Sequence, residues 1–279
     1  DRRDFIKSAA AGAVSFSAWN CGIFRLETRK PNILFIMSDD HSSSAIGAYG
    51  SHLAGFVETP HLDRLAAEGA RLQNCFCTNS LCAPSRATIL TGQYCHRNGV
   101  TTLEDALSPD QPSVAKEFQK NGYQTALFGK WHLKKDPAGF DAWRILNNQG
   151  RYENPELRGP GTDYEVYPGY SEDVITKLCL DWMESRDRSR PFLLMCHFKA
   201  PHDRWNHAER FENFYRDRPV PEPPNLYDDY RNRFSRAGAV CIGVSAIRKR
   251  PLGAGRIGWS MAAGSPLIQS RPLGLMPQW

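Results

Sequence analysis

No stretch of 18 consecutive apolar residues occurs anywhere in the 279-residue chain, so nothing in it reads as a membrane-spanning helix. Charge of one sign is nearly absent as an excess: 35 basic residues stand against 30 acidic ones. Five of the basic residues (Arg248, Lys249, Arg250, Arg256 and Arg271) lie in residues 241–279, which contain no acid, so residues 1–240 balance. The main body therefore carries no basic footprint for nucleic acid. Eight cysteines are too sparse for a small disulfide scaffold. There is no internal repeat, and no acid at all after Asp229. What is present, 41% hydrophobic and 23% charged residues with 22 Gly and 19 Pro, excludes disorder and collagen and fits a globular domain of enzyme size.

The first residues are Arg2-Arg3-Asp4-Phe5-Ile6-Lys7, followed by a mildly apolar Ala/Gly/Ser-rich stretch to Trp19. Twin arginines before a short, weakly hydrophobic segment resemble a bacterial twin-arginine export signal, here spanning residues 1–20. That implies the twin-arginine export machinery as a partner and a periplasmic or extracellular location. The plainer alternative is an amphipathic first helix. Asp1 stands where an initiator Met is expected, so the chain is read as beginning inside a longer sequence. Cys21 is read as an ordinary thiol.

Periodic patterns then alternate. Asn32 to Ser38 is an unbroken apolar run that predicts a strand buried on both faces and ends at Asp39 and Asp40. Thr59-Pro60 predicts a helix start, with Gly69 at its end. Ser113 to Gly122 predicts a second helix and Tyr123 to Gly129 a strand, which runs into Lys130-Trp131-His132. Ser171 to Arg186 places Val174, Ile175, Leu178 and Trp182 on one helical face, and Pro191 introduces the strand Phe192 to His197. Residues 147–170, rich in Pro, Gly and Tyr, are expected to form a surface excursion. The predicted class is α/β, with a mostly parallel sheet sandwiched by helices. Such sheets place ligands beyond the carboxyl ends of their strands, so Asp39/Asp40, Lys130/His132 and His202 are expected to converge.

One string is far more specific than the rest: Cys82-Ala83-Pro84-Ser85-Arg86, continued by Leu90-Thr91-Gly92. Cys75, Cys77 and Cys95 lie nearby, but CxC followed by gaps of four and twelve residues is not the paired spacing of a zinc knuckle. A buried thiol before a short helix is the other plain reading. Residues 85–90 predict a helix whose free N-terminal donors face residue 82 and favour an anion. Arg86 adds a fixed planar cation. Asp39 and Asp40 offer hard oxygen ligands for Ca²⁺ or Mg²⁺, although taken alone such a pair is as readily a solvated turn.

The string resembles the CxPSR…LTG signature of type I sulfatases, in the alkaline-phosphatase-like superfamily. In that family the cysteine is oxidised to formylglycine by a formylglycine-generating enzyme. Gly129-Lys130-Trp131-His132 and Lys199-Ala200-Pro201-His202 resemble two further blocks of the family. The resemblance implies catalytic roles for Cys82, Arg86, Lys130, His132 and His202, and a Ca²⁺ site (Mg²⁺ possible) at Asp39, Asp40 and Cys82. Lys130 would bind a sulfate oxygen, His132 would assist breakdown of the sulfated intermediate, and His202 would protonate the leaving alcohol. His197, inside a strand pattern, reads as structural.

Residues 134–155, including Trp143, Gln149-Gly150 and Tyr152-Glu153-Asn154-Pro155, resemble bacterial N-acetylglucosamine-6-sulfatases, implying a sulfated carbohydrate substrate. Trp143, Tyr152 and Tyr164 are expected to offer ring faces to a sugar. The family pattern also needs a second acidic metal block and a further Lys downstream of His202. The expectation is therefore that residues 31–236 hold only the N-terminal part of a sulfatase catalytic domain. Residues 237–279 read as an anomalous basic tail, such as a wrong reading frame would give. Two other functions stay open: a phosphonate or phosphate ester hydrolase of the same superfamily, and an inactive truncated fragment.

Overall fold

The computed structural model describes residues 30–227. The elements below all lie in the unit that ends at Pro221; residues 222–227 belong to a second unit and hold only a turn. The expected segments 1–20 and 237–279 lie outside the described residues.

Six strands form one sheet in the order β1-β6-β2-β3-β4-β5. They are β1 (Ile33–Met37), β2 (Gln124–Gly129), β3 (Ala142–Leu146), β4 (Glu156–Arg158), β5 (Glu165–Val166) and β6 (Phe192–His197). The pairs β1–β6, β6–β2 and β2–β3 are parallel, whereas β3–β4 and β4–β5 are antiparallel. The α-helices are α1 (Pro60–Glu68), α2 (Cys82–Thr91), the single turn α3 (Cys95–Asn98), α4 (Val114–Lys120) and α5 (Ser171–Ser185).

The period of two along the central strands builds two cores, one on each face. Leu127 on β2 and Leu193 and Met195 on β6 pack with Ala83, Ala87 and Leu90 of α2 and Ala115 of α4. Ala126, Phe128, Leu194 and Cys196 point the other way, onto Ile175 and Cys179 of α5. Each fully buried leucine here contributes about 1.5–3 kcal/mol of transfer free energy. Local signals start the helices as expected. Ser113 caps α4 by accepting from Lys116 N, and Pro60 opens α1 after Thr59.

Three expectations need correction. Among the described residues β1 is not buried on both faces: it is an edge strand there, and Leu34 and Ile36 are 49% and 55% exposed. Ile33 and Phe35 pack against the α2-side core, while among the described residues no helix covers the opposite face at β1. Residues 147–170 are more than a surface excursion, since they carry β4 and β5 and continue the sheet beyond β3. The helix after the CxPSR cysteine starts at Cys82 itself, with Leu81 as N-cap, rather than at Ser85. Pro84 is compatible with that earlier start because first-turn N–H groups have no intrahelical partner.

Candidate active site

The carboxyl ends of β1, β6 and β2 lie side by side, and their following residues meet. Asp39 is buried two residues beyond β1, and its N–H donates to Ala200 O (3.0 Å). Lys130, the residue after β2, is fully buried and donates through Nζ to Asp39 Oδ2. Arg86 sits one helical turn after Cys82 on α2, on the same side, since residues four apart on a helix are neighbours. Its Nη2 lies 3.5 Å from Asp39 Oδ1 and its Nη1 donates to Lys130 O (2.6 Å).

Gly129 makes this approach possible. A Cβ there would fall 1.9 Å from His197 O, and its φ of +110° is one that side chains rarely adopt. The close contact lets Lys130 N donate to His197 O (2.8 Å) and fixes the lysine at the sheet edge.

Gln149, at the turn after β3, connects this cluster to the CxPSR helix. Its Oε1 accepts from Lys130 Nζ (2.5 Å), and its Nε2 lies 3.9 Å from Cys82 Sγ. His202 enters from the segment after β6, with Nε2 3.7 Å from Asp40 Oδ2 and Nδ1 against Asp203. Cys82, Arg86, Lys130 and Asp39 thus form one connected set, with Asp40 and His202 joined at its rim. His132 is buried nearby but makes no side-chain hydrogen bond to the others.

The electrostatics favour an anion. One buried carboxylate, Asp39, faces the two cations Lys130 and Arg86. Burial pulls the Arg86 guanidinium below its ordinary value, opposed by Asp39. Burial, with Lys130 and Arg86 close by, pushes His132 down to about 4. His197 is driven to about 3 by complete burial and by Arg86. Both rings are therefore neutral at pH 7, and His197, with Nδ1 3.2 Å from Lys130 O, lies inside the protein beneath the arginine as a structural residue. Lys199, buried over the Tyr152 ring at 4.7 Å, is also lowered, by burial and by Lys130.

These donors are poorly placed for a hard cation. Asp39 already receives Lys130 and Arg86, and Asp40 is exposed. Among the described residues no group of three or more His, Cys, Asp or Glu side chains assembles. Calcium takes 6–8 oxygens. Asp39, Asp40 and Cys82 do not by themselves make such a site.

The family model described as Sulfatase matches residues 31–240, more than half of the chain. The chain belongs to the sulfatase family. The match takes in every candidate site residue from Asp39 to His202. An N-acetylglucosamine-6-O-sulfatase of Bacteroides thetaiotaomicron is 44% identical over 210 residues, covering 74% of this chain and 37% of that protein. A human N-acetylgalactosamine-6-sulfatase is 34% identical over 209 residues, covering 62% of this chain and 40% of that protein. The solved structure of BT4656 in complex with its substrate D-glucosamine-2-N,6-O-disulfate superposes with a TM-score of 0.70 at 44% identity, over 74% of this chain and 41% of that one. This sulfatase chain thus spans about two fifths of the length of these relatives.

Two of the three expected sugar platforms are not available. Trp143 is 6% exposed within the α2-side core, with Arg158 over its ring at 5.3 Å. Tyr152 is 4% exposed and covered by Lys199. Tyr164 remains partly open, although Arg158 also stacks on it. Sequence reasoning gave no role to Gln149, and it did not single out Glu172, which grips the segment before His202. Both act through long-range contacts that no local spacing reveals.

Proposed function

We propose that this chain contributes to hydrolysis of sulfate esters on glycans, with 6-O-sulfated amino sugars favoured. The observation that carries the reading is the gathering of Cys82, Arg86 and Lys130 around one buried carboxylate at the carboxyl edge of the sheet. The identity to the N-acetylglucosamine-6-O-sulfatase supports the sugar class.

In this reading a formylglycine-generating enzyme converts Cys82, which lies in the first turn of α2 and is only partly buried. The hydrated aldehyde supplies one hydroxyl to attack sulfur and a second to release sulfate. Arg86 and Lys130 hold the sulfate oxygens. Neutral His132 takes a proton from the second hydroxyl, and His202 gives one to the leaving sugar oxygen, which is a poor leaving group without it. A cavity of about 320 Å³ lined by Asn147, Asn148, Gln149, Gly150, Arg151 and Glu156 shares Gln149 with the site and receives the sugar. Ca²⁺, or Mg²⁺, at Asp39 and Asp40 would need oxygens beyond the described residues. Export by the twin-arginine machinery, to the periplasm or outside, rests on Arg2 and Arg3 alone.

The test is release of inorganic sulfate from 6-O-sulfo-N-acetylglucosamine, run beside the phosphorylated sugar. Release only from sulfated galactose would end the amino-sugar reading, and faster cleavage of the phosphate ester would favour the phosphorus-directed relatives. A second reading is a chain that binds sulfated sugars without turning them over. Binding without sulfate release would select it.

A further inference from the structure

An acid in the first turn of a helix ordinarily does no more than face the positive end of the helix dipole. Glu172, the second residue of α5, is turned to another task. Its Oε1 accepts the main-chain N–H of Lys199 (3.1 Å) and of Ala200 (2.8 Å), and its Oε2 accepts from the Ser171 hydroxyl. Three further bonds hold the same short segment. Asp39 N donates to Ala200 O (3.0 Å), His202 N to Lys199 O (3.1 Å), and Tyr152 Oη to His202 O (2.7 Å). Residues 199–202 are thereby pinned between β1, α5 and the turn that carries Tyr152. Among the described residues Glu172 is the one charged side chain that holds the main chain of this segment, while Asp40 and Asp203 meet the His202 ring itself.

From this geometry we propose that Glu172 is a positioning residue: by holding the backbone of residues 199 and 200 it sets where the His202 imidazole stands at the rim of the site. The inference rests on the reading of His202 as proton donor to the leaving oxygen, but its structural half can be tested apart from that reading.

Glu172→Gln keeps a carbonyl acceptor, and Glu172→Ala removes it. In Glu172→Ala, hydrogen exchange at the Lys199 and Ala200 amides should quicken by roughly tenfold or more while Leu194 and Met195 stay protected, with a smaller change in Glu172→Gln. Acylation of His202 by diethylpyrocarbonate should quicken in parallel. In turnover, Glu172→Ala should lower kcat for the sugar sulfate about tenfold more than for 4-nitrophenyl sulfate, whose leaving group needs little protonation. KM should change little. The Glu172→Ala/His202→Ala double variant should be no slower than His202→Ala alone.

Unchanged exchange and unchanged acylation would overturn the proposal, as would equal losses on the two substrates or additive losses in the double variant. A wild-type protein that releases sulfate from neither substrate would instead defeat the functional reading. In that case the exchange and acylation rates decide the positioning role alone.

Discussion

Arg86 is almost wholly withdrawn from water, and among the described residues its guanidinium meets the Asp39 carboxylate, the Lys130 carbonyl and the His197 ring. Its removal leaves Asp39 paired with Lys130 but takes the charged donor from the buried Lys130 carbonyl and opens a cavity in its place. Arg86→Ala is therefore expected to cost about 2–3 kcal/mol in stability, read from urea unfolding, besides abolishing sulfate release. Arg86→Lys should restore charge but not activity, since an ammonium cannot reproduce the planar fork. Intact-mass measurement of the peptide containing residue 82 should find formylglycine in exported, active protein. Active protein carrying only a free thiol would refute that. At this scale much was legible. Cys82, Arg86, Lys130 and His202 announced themselves because each sits in a short string with its neighbours fixed. Gln149-Gly150 belonged to the family resemblance, but Gln149 bonds to side chains distant in sequence, so the string itself did not show that it joins Lys130 to Cys82.

Among the elements, β2 was readable from its apolar run and β6 from its boundary proline, whereas the edge position of β1 was not. A continuous apolar run looks the same in a central strand and in an edge strand, because pairing order is decided by residues far away. The consequence is measurable. Leu34→Thr or Ile36→Thr should cost less than about 1 kcal/mol, whereas Leu194→Ala in β6 should cost about 2–5 kcal/mol, both read from denaturant midpoints. The end of β2 is the opposite case. Gly129→Ala forces a Cβ into His197 O and should cost on the order of 3 kcal/mol, with loss of the site because Lys130 is displaced. The short strands β4 and β5 escaped detection because residues 156–158 and 165–166 are too few to show a period.

For the molecule as a whole, two buried imidazoles among the described residues contribute to the response to acid. His132 is held at about 4 and His197 at about 3, against an ordinary value of 6.5. Below 6.5 the unfolded chain therefore binds more protons than the folded one. Their contribution is fully present above about 6.5 and is lost progressively as pH falls towards 4 and then 3. Calorimetry should show Tm falling as pH drops from 7 to 4, and a His132→Asn variant should show a shallower fall. The sheet order carries a further consequence, in time rather than in energy. β6 lies between β1 and β2, so neither early strand has its central partner until residues 192–197 have been synthesised. Synthesis at about 5–20 residues per second puts on the order of ten seconds between the emergence of residue 82 and that of residue 202. During that interval the thiol at position 82 is attached to an unclosed sheet, open to any enzyme that must reach it before the pocket forms around it.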